Sequence, residues 1–155
     1  FEKLMQLATE RGYQIYLLGA KPEVVEALVK KLQKQYSQIK IVGYRDGYFG
    51  QNEEVIGDIK AARPDILCIA MGSPRQEKWI AGNLEKLRVP FAIGVGGSFD
   101  HVAGFSKRAP VWMQQAGLEW LYRFLKEPTR LWKRYLVGNL LFISLVIKQA
   151  MKKKP

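Results

Sequence analysis

Two glycine-containing turns, each directly after an apolar, strand-like run, are the segments best suited to chemistry. The first, residues 71–74, follows the apolar run 65–70 and opens a segment of helical periodicity. The second, residues 94–100, follows the next apolar run. A turn of this kind leaves backbone N–H groups free at the positive end of a helix dipole, which favours an anion such as a phosphate. Together they predict a pocket for a phosphorylated ligand, lined by Gly72, Ser73, Pro74, Gly96, Gly97 and Ser98.

These turns belong to an alternation of strand-like and helix-like segments over residues 13–95, joined by short connections. Pro22 opens one amphipathic helical segment, and Asn52 is a plausible cap for another over residues 52–62. The alternation predicts a doubly wound, mostly parallel, Rossmann-like α/β sheet. Ligands of such sheets bind beyond the carboxyl ends of the strands, where Gly19 and Gly47 also fall. Asp46-Gly47 is first of all a turn former, with a ligand contact as the alternative.

The positive charge of the chain is concentrated in its last third. The 155 residues carry a net charge of +11, and residues 106–155 carry 11 Lys/Arg against two acidic residues, a net of +9. This excess indicates an acidic partner, either a nucleic acid or an anionic membrane surface. No motif for nucleic-acid readout accompanies the charge, so we expect no nucleic acid. The composition shift predicts an α/β core over residues 1–105 and a helical appendage over residues 106–155.

The appendage contains an apolar stretch, residues 135–147, bracketed by basic residues and fringed with Trp and Tyr. It is too short to cross the hydrocarbon core of a bilayer, which needs about 20 residues. An apolar stretch with basic flanks and an aromatic fringe favours shallow insertion into an anionic membrane leaflet. The alternative is a helix packed on the sheet or on another subunit, and the exposed apolar surface predicts a homo-oligomer. The one cysteine, Cys68, lies in an apolar strand, which predicts a buried and inert thiol.

Four segments occur in an order that resembles the bacterial WecG/TagA/CpsF glycosyltransferases. They read GSPRQEKW at residues 72–79, GVGGSFD at 94–100, KRAPVWM at 107–113 and LEWLYRFLKEPTRLW at 118–132. The resemblance implies an inverting, metal-independent transfer of N-acetylmannosamine or a related sugar from a UDP-sugar, without a cofactor. It also implies a lipid-linked acceptor, a sugar on undecaprenyl diphosphate, at the cytoplasmic membrane face, in teichoic acid or cell-surface polysaccharide synthesis. The protein would then be cytoplasmic and peripheral on the inner face of the membrane.

The resemblance also suggests roles for single residues. Gln76 stands where the family has an active-site residue, and we predict a hydrogen bond to the sugar or acceptor, against a solvated polar side chain. Glu77 is either a second polar contact or an acidic residue favoured by the helix dipole. Asp100 is a candidate to bind uracil or ribose, with helix capping as the alternative. Arg108 is either a phosphate contact or a surface charge.

Cationic residues of the appendage are the other expected electrophiles. No Asp-x-Asp pair, the usual metal-binding motif of UDP-sugar transferases, occurs in the chain, so guanidinium groups and helix N-termini would stabilise the leaving diphosphate. Arg123 and Arg130 match arginines of the family and are the predicted catalytic pair, with Arg134 as a further contact. Lys133 stands where the family often has arginine, and it keeps the charge without the bidentate fork.

Relatives in this family carry a further N-terminal half, which holds an Asp proposed as the general base. The resemblance covers what would be the C-terminal two-thirds, so no residue here is assigned as that base. The chain is therefore expected to be a fragment of a longer enzyme. The alternatives are a non-catalytic nucleotide-sugar-binding fragment and a membrane-surface binding module.

Overall fold

The structure is a computed structural model that describes residues 1–106, 109–126, 128, 129, 146, 148 and 149, apart from the side chain of Arg123. Its contacts divide the chain into two compact units, Phe1–Lys107 and Arg108–Pro155. The elements of the first unit are α1 (Glu2–Arg11), β1 (Gln14–Gly19), α2 (Pro22–Gln35), β2 (Lys40–Arg45), α3 (Asn52–Ala62), β3 (Ile66–Ala70), α4 (Arg75–Leu87), β4 (Phe91–Gly94) and α5 (Ser98–Ala103).

The described part of the second unit contains two further helices, α6 (Val111–Gln115) and α7 (Glu119–Lys126). The apolar stretch predicted over residues 135–147 lies outside the described residues except for Val146. No described helix combines the length and the apolarity that crossing a bilayer requires.

The four strands of the first unit form one parallel sheet in the order β2-β1-β3-β4. This order confirms the predicted doubly wound α/β fold. The chain leaves β1 towards β2 on one side and leaves β3 towards β4 on the other. The carboxyl ends of β1 and β3 therefore flank the point at which the winding direction reverses, where such sheets bind ligands.

Alternate residues of each strand point to opposite faces of the sheet, and each face has its own apolar core. On one face, Ile15 and Leu17 pack with residues of α1, α2 and α5, including the fully buried Phe99. On the other face, Tyr16 and Leu18 pack with residues of α3 and α4. Because both faces are covered, β1 and β3 are apolar along nearly their whole length, which is why they were recognisable as buried strands.

Cys68 lies in the middle of β3 and is fully buried. Burial raises the pKa of its thiol to about 12, because the apolar core disfavours the thiolate. The predicted burial of the thiol is confirmed. The thiolate is the reactive form of cysteine, so the raised pKa favours an inert thiol.

Candidate functional site

Backbone hydrogen bonds connect the loops after β1, β2 and β4 with strand β3 at the carboxyl edge of the sheet. The amide of Ala20 donates to the carbonyl of Ala70 at 2.8 Å, and the amide of Gly47 donates to the carbonyl of Ala20 at 2.9 Å. The amide of Val95 donates to the carbonyl of Ile69 at 2.8 Å. The loop after β1 is therefore bonded to the loop after β2 and to the end of β3, and the loop after β4 is bonded to β3, at the edge where the sequence predicts a ligand.

The two predicted glycine turns adopt backbone conformations that favour glycine. Gly72 has a φ of +76° and Gly96 a φ of +53°. A Cβ added at either position would meet no atom of the described residues within 4 Å. Conformation rather than crowding therefore favours glycine here, and both turns border open space.

The helix after the first turn begins at Arg75, with Pro74 as its N-cap. Ser73 and Pro74 are both exposed. Because α4 follows β3 directly, its N-terminal turn and the positive end of its dipole lie at the carboxyl edge of the sheet. The predicted anion-binding site requires a helix N-terminus at this position. Anion binding itself stays a prediction.

Gln76 links the two glycine turns through its side chain. It is buried, with 5% of its surface exposed. Its Oε1 accepts a hydrogen bond from the amide of Gly96 at 3.1 Å, and its Nε2 donates to Oε1 of Glu77 at 2.9 Å. A Cβ on Gly94 would lie 2.5 Å from that Nε2, so the amide group fits only against a glycine. The burial is incompatible with a solvated Gln76, and the predicted contact with sugar or acceptor stays a prediction.

The second turn leads into α5, whose N-cap is Gly97. The hydroxyl of Ser98 donates to the carbonyl of Val95 at 2.7 Å and closes the turn. Asp100 lies in the first turn of α5 and is partly buried, but it is not the N-cap residue. Its carbonyl accepts the amides of Phe105 and Ser106, whereas no hydrogen bond or ion pair engages its carboxylate within the described residues. The predicted uracil or ribose contact of Asp100 stays a prediction.

The loop between β2 and α3 is closed by one hydrogen bond of its own and is held to α4 by another. The carboxylate of Asp46 accepts the amide of Tyr48 at 2.7 Å, the hydrogen bond expected of a turn-forming aspartate. The guanidinium of Arg75 donates from Nη2 to the carbonyl of Gly47 at 3.1 Å. Arg75 was quoted in the sequence motif but was not predicted as a site residue.

A partly buried polar network that the sequence analysis did not find fixes the far end of the same loop. The indole Nε1 of Trp79 donates to Oδ1 of Asn52 at 2.6 Å, and Nδ2 of Asn52 donates to Oδ1 of Asn83 at 3.0 Å. Phe49 packs edge-on against the Trp79 ring. The predicted capping role of Asn52 is wrong, since Gln51 is the N-cap of α3 and the Asn52 side chain is engaged by α4. The partners are 27 and 31 residues apart, so no local pattern signals the network.

Arg45 fastens the end of β2 to α3. Its guanidinium pairs with Glu54 at 3.1 Å and with Asp58 at 2.6 Å. The hydrogen bond to Glu54 is the main cause that raises the pKa of Arg45, so this side chain stays cationic. Burial, followed by the charge of Asp58, raises the pKa of Tyr16 on the adjacent strand, which keeps its phenol protonated.

Several predicted site residues cannot be located in the structure. The backbone of Arg123 belongs to α7, and its side chain is outside the described part. Arg108, Arg130, Lys133 and Arg134 also lie outside the described residues. Their assigned roles stay predictions. Within the described ranges, no group of three or more His, Cys, Asp or Glu side chains is placed to hold a metal ion.

The second unit exposes apolar and aromatic side chains. The exposed fractions are 63% for Trp112, 50% for Trp120 and 68% for Leu125. The ammonium group of Lys126 lies 5.8 Å from the centroid of the Tyr122 ring, a cation–π distance. Basic, aromatic and apolar groups therefore share the surface of α6 and α7.

Fold and site together define a doubly wound α/β protein with glycine turns at the carboxyl edge of its sheet. Comparison with known sequences gives the family: the model of the WecG/TagA/CpsF glycosyl transferases matches residues 1–155, and the chain belongs to that family.

Two curated relatives are named N-acetylglucosaminyldiphosphoundecaprenol N-acetyl-beta-D-mannosaminyltransferase. The protein of Bacillus subtilis (strain 168) is 42% identical over 136 residues, which cover 88% of this chain and 53% of the relative. The protein of Bacillus spizizenii (strain W23) is 35% identical over 136 residues, 88% of this chain and 52% of the relative. The chain thus spans about half the length of the curated relatives that it matches.

Proposed function

We propose that this chain is the nucleotide-sugar-binding part of a glycosyltransferase. The enzyme would transfer N-acetylmannosamine or a related sugar from a UDP-sugar to an undecaprenyl-diphosphate-linked acceptor, with inversion and without a metal ion. The observation that carries the proposal is the pair of glycine turns, after β3 and β4, that Gln76 joins at the carboxyl edge of the sheet, in a member of a glycosyl transferase family. The names of the two relatives support the transferred sugar and the lipid-linked acceptor.

The chemistry of the proposal is stabilisation of a leaving diphosphate by fixed positive charge. The first turn of α4 would supply backbone N–H groups and the positive dipole end. Arg123 and Arg130, with Lys133 and Arg134, would supply further positive charge. The bond between the sugar and the diphosphate breaks more easily when charge on the departing oxygen is neutralised, and in this scheme protein groups do so instead of a divalent ion.

The first prediction concerns the reaction itself. A protein in which this chain is preceded by the N-terminal half that members of the family carry is incubated with UDP-N-acetylmannosamine and a synthetic lipid diphosphate-GlcNAc acceptor, with and without EDTA, and binding of UDP is measured in parallel by calorimetry. We expect UDP binding and a disaccharide product whose rate is unchanged within about twofold by EDTA. UDP binding without product would support the non-catalytic alternative, and a reaction abolished by EDTA would overturn the metal-independent mechanism. Absence of UDP binding would overturn the proposal as a whole.

We further propose that the second unit binds the protein to an anionic membrane surface, where a lipid-linked acceptor is found. The exposed Trp112, Trp120 and Leu125 supply the apolar contacts, and the net charge of +9 over residues 106–155 supplies the electrostatic attraction. Both contributions add to binding, so removal of either should weaken it.

The second prediction tests this seating with one substitution in each unit. Leu125→Glu should lower partition onto vesicles that contain phosphatidylglycerol by about tenfold, because a buried leucine contributes roughly 1.5–3 kcal/mol and the new charge is repelled. Leu84→Glu is the matched control, since Leu84 is also an exposed leucine on a helix but lies in the first unit. Co-sedimentation with the vesicles measures both variants. Equal partition of Leu125→Glu and the unsubstituted protein would contradict the membrane role of α7.

A further inference from the structure

The sheet of the first unit has two outer edges, and the edge at β2 is protected against further pairing. The register between β1 and β2 shifts between Ile15 and Tyr16, which indicates a bulge. Strand β2 also begins with Lys40 and ends with Arg45. Bulges and charged side chains are features by which natural sheets prevent another strand from pairing with an edge. The β2 edge therefore has the features of a terminal edge.

The opposite edge, at β4, has neither feature. Its residues are uncharged and pair with β3 in regular register. The amides of Phe91 and Val95 donate on the β3 side, so the amides of Ala92 and Gly94, which alternate with them, point away from β3. In the described part of the chain, β4 pairs with no strand other than β3, and Phe91 is 47% exposed. The β4 edge thus offers backbone hydrogen-bonding groups and an apolar side chain to a further strand.

The helices determine on which side of β1 a preceding strand must lie. Connections between parallel strands of one sheet are right-handed in about 98% of cases. Helix α2 covers one face and leads from β1 to β2, whereas α3 and α4 cover the other face and lead in the opposite direction across the sheet. Helix α1 lies on the same face as α2 and leads into β1. A right-handed connection through α1 must therefore start from a strand on the β4 side of β1.

The first free position on that side is the outer edge of β4, because β3 and β4 occupy the places next to β1. The start of α1 agrees with this position. Phe1, the N-cap of α1, packs against Phe99 with 5.6 Å between the ring centroids. Phe99 lies in the first turn of α5, the helix that follows β4 at the carboxyl edge of the sheet. A parallel strand paired with β4 would end at this same edge, close to the start of α1.

We infer that the outer edge of β4 binds a parallel strand of the N-terminal half that members of the family carry, directly before α1. The chain covers 53% of the Bacillus subtilis relative, so a protein of that length has enough residues for such a strand. Main-chain hydrogen bonds to Ala92 and Gly94 hold the strand, as in other cases of strand addition to a sheet edge. Its carboxyl end lies beside the second glycine turn, so a loop of the N-terminal half joins the ligand edge. The inference rests on the topology of the sheet and not on the proposed function.

The third prediction compares amide hydrogen exchange in this chain and in the longer protein in which the N-terminal half precedes it. We expect the amides of Ala92 and Gly94 to exchange at least about 100-fold more slowly in the longer protein, because they become hydrogen-bonded within the sheet. The amides of β2 that point away from β1 are the matched control, and their exchange should agree within about threefold between the two proteins. NMR spectroscopy follows the exchange residue by residue.

Ala92→Pro tests the same edge by removing one outward N–H group. Proline is tolerated in an edge strand where its missing N–H faces away from the neighbouring strand, so this chain should fold with the substitution, as judged by circular dichroism. In the longer protein, the substitution should accelerate exchange of the Gly94 amide at least about tenfold, because the added strand can no longer pair along β4. Should Ala92→Pro not fold, the comparison of the two unsubstituted proteins decides the question.

Three outcomes would overturn the inference. One is equal exchange of the Ala92 and Gly94 amides in the two proteins. Another is slower exchange at the outer edge of β2 in the longer protein, because the strand would then lie on the side that a right-handed connection excludes. The third is slow exchange of Ala92 and Gly94 in this chain alone that is lost on dilution, which would assign the β4 edge to a second copy of the chain. None of these measurements involves UDP, so the proposed function stands or falls separately.

Discussion

Gly19→Ala is expected to lower the free energy of unfolding by about 4 kcal/mol. Gly19 has a φ of +125°, a conformation that costs an L-residue roughly 1–3 kcal/mol. Its Cβ would also lie 2.5 Å from the carbonyl oxygen of Ala70, and overpacking of this kind adds about 1–3 kcal/mol. The obstacle is backbone of the adjacent strand rather than the end of a flexible side chain, so β1 and β3 would have to separate. Chemical denaturation followed by circular dichroism measures the change.

The same substitution should abolish UDP binding, because the Ala20–Ala70 hydrogen bond that joins the loop after β1 to the end of β3 would be lost. Gly82→Ala is the matched control. Gly82 lies in the interior of α4, and its Cβ would meet no described atom within 4 Å. Gly82→Ala should raise the free energy of unfolding by up to about 1 kcal/mol, because alanine has a higher helix propensity than glycine. If Gly19→Ala lowered the free energy of unfolding by less than about 1 kcal/mol, the ends of β1 and β3 would have to move apart easily. That result would contradict a rigid carboxyl edge of the sheet.

Gln76→Leu has the second largest expected effect, a loss of about 2–3 kcal/mol in the free energy of unfolding. Leucine has a similar size, but it cannot accept the hydrogen bond from the amide of Gly96. An N–H group deprived of its partner costs about 1–3 kcal/mol, and the branched side chain must also fit against Gly94. UDP affinity should fall at least about tenfold, because the two glycine turns are no longer linked.

Gln6→Leu provides the comparison for Gln76, since Gln6 is exposed and bonds only to Glu10 on the same helix face. The free energy of unfolding of Gln6→Leu should differ from that of the unsubstituted protein by less than about 0.5 kcal/mol. The pair of measurements also distinguishes two roles of Gln76. Loss of UDP-sugar binding with unchanged stability would assign Gln76 to a direct ligand contact, and would contradict its role as a link between the turns.

The elements of the first unit could be predicted because local physics specifies them. Pro22 opens α2, and Gly12, with a φ of +69°, ends α1. Gly72 and Gly96 have the positive φ that their turns require, and the apolar runs of β1 and β3 are the buried strands. Each of these signals is carried by residues a few positions apart, so the sequence alone contains it.

The composition of the site, by contrast, depends on residues far apart in the sequence. Gln76 looked like either a ligand contact or a solvated side chain, and its burial against Gly94 was visible only in the structure. The hydrogen bond between Arg75 and Gly47 spans 28 positions, and that between Trp79 and Asn52 spans 27. No periodicity or turn motif encodes such pairs, because they depend on which strands are neighbours in the sheet.

The sequence by itself determined the α/β alternation, the two glycine turns, the basic appendage and the family resemblance. The order β2-β1-β3-β4 and the resulting meeting of the loops after β1, β2, β3 and β4 were decided only by the tertiary structure. The physical reason is that helix periodicity, capping and glycine conformation act within a few residues. Strand order, in contrast, follows from how all the apolar faces are buried at once.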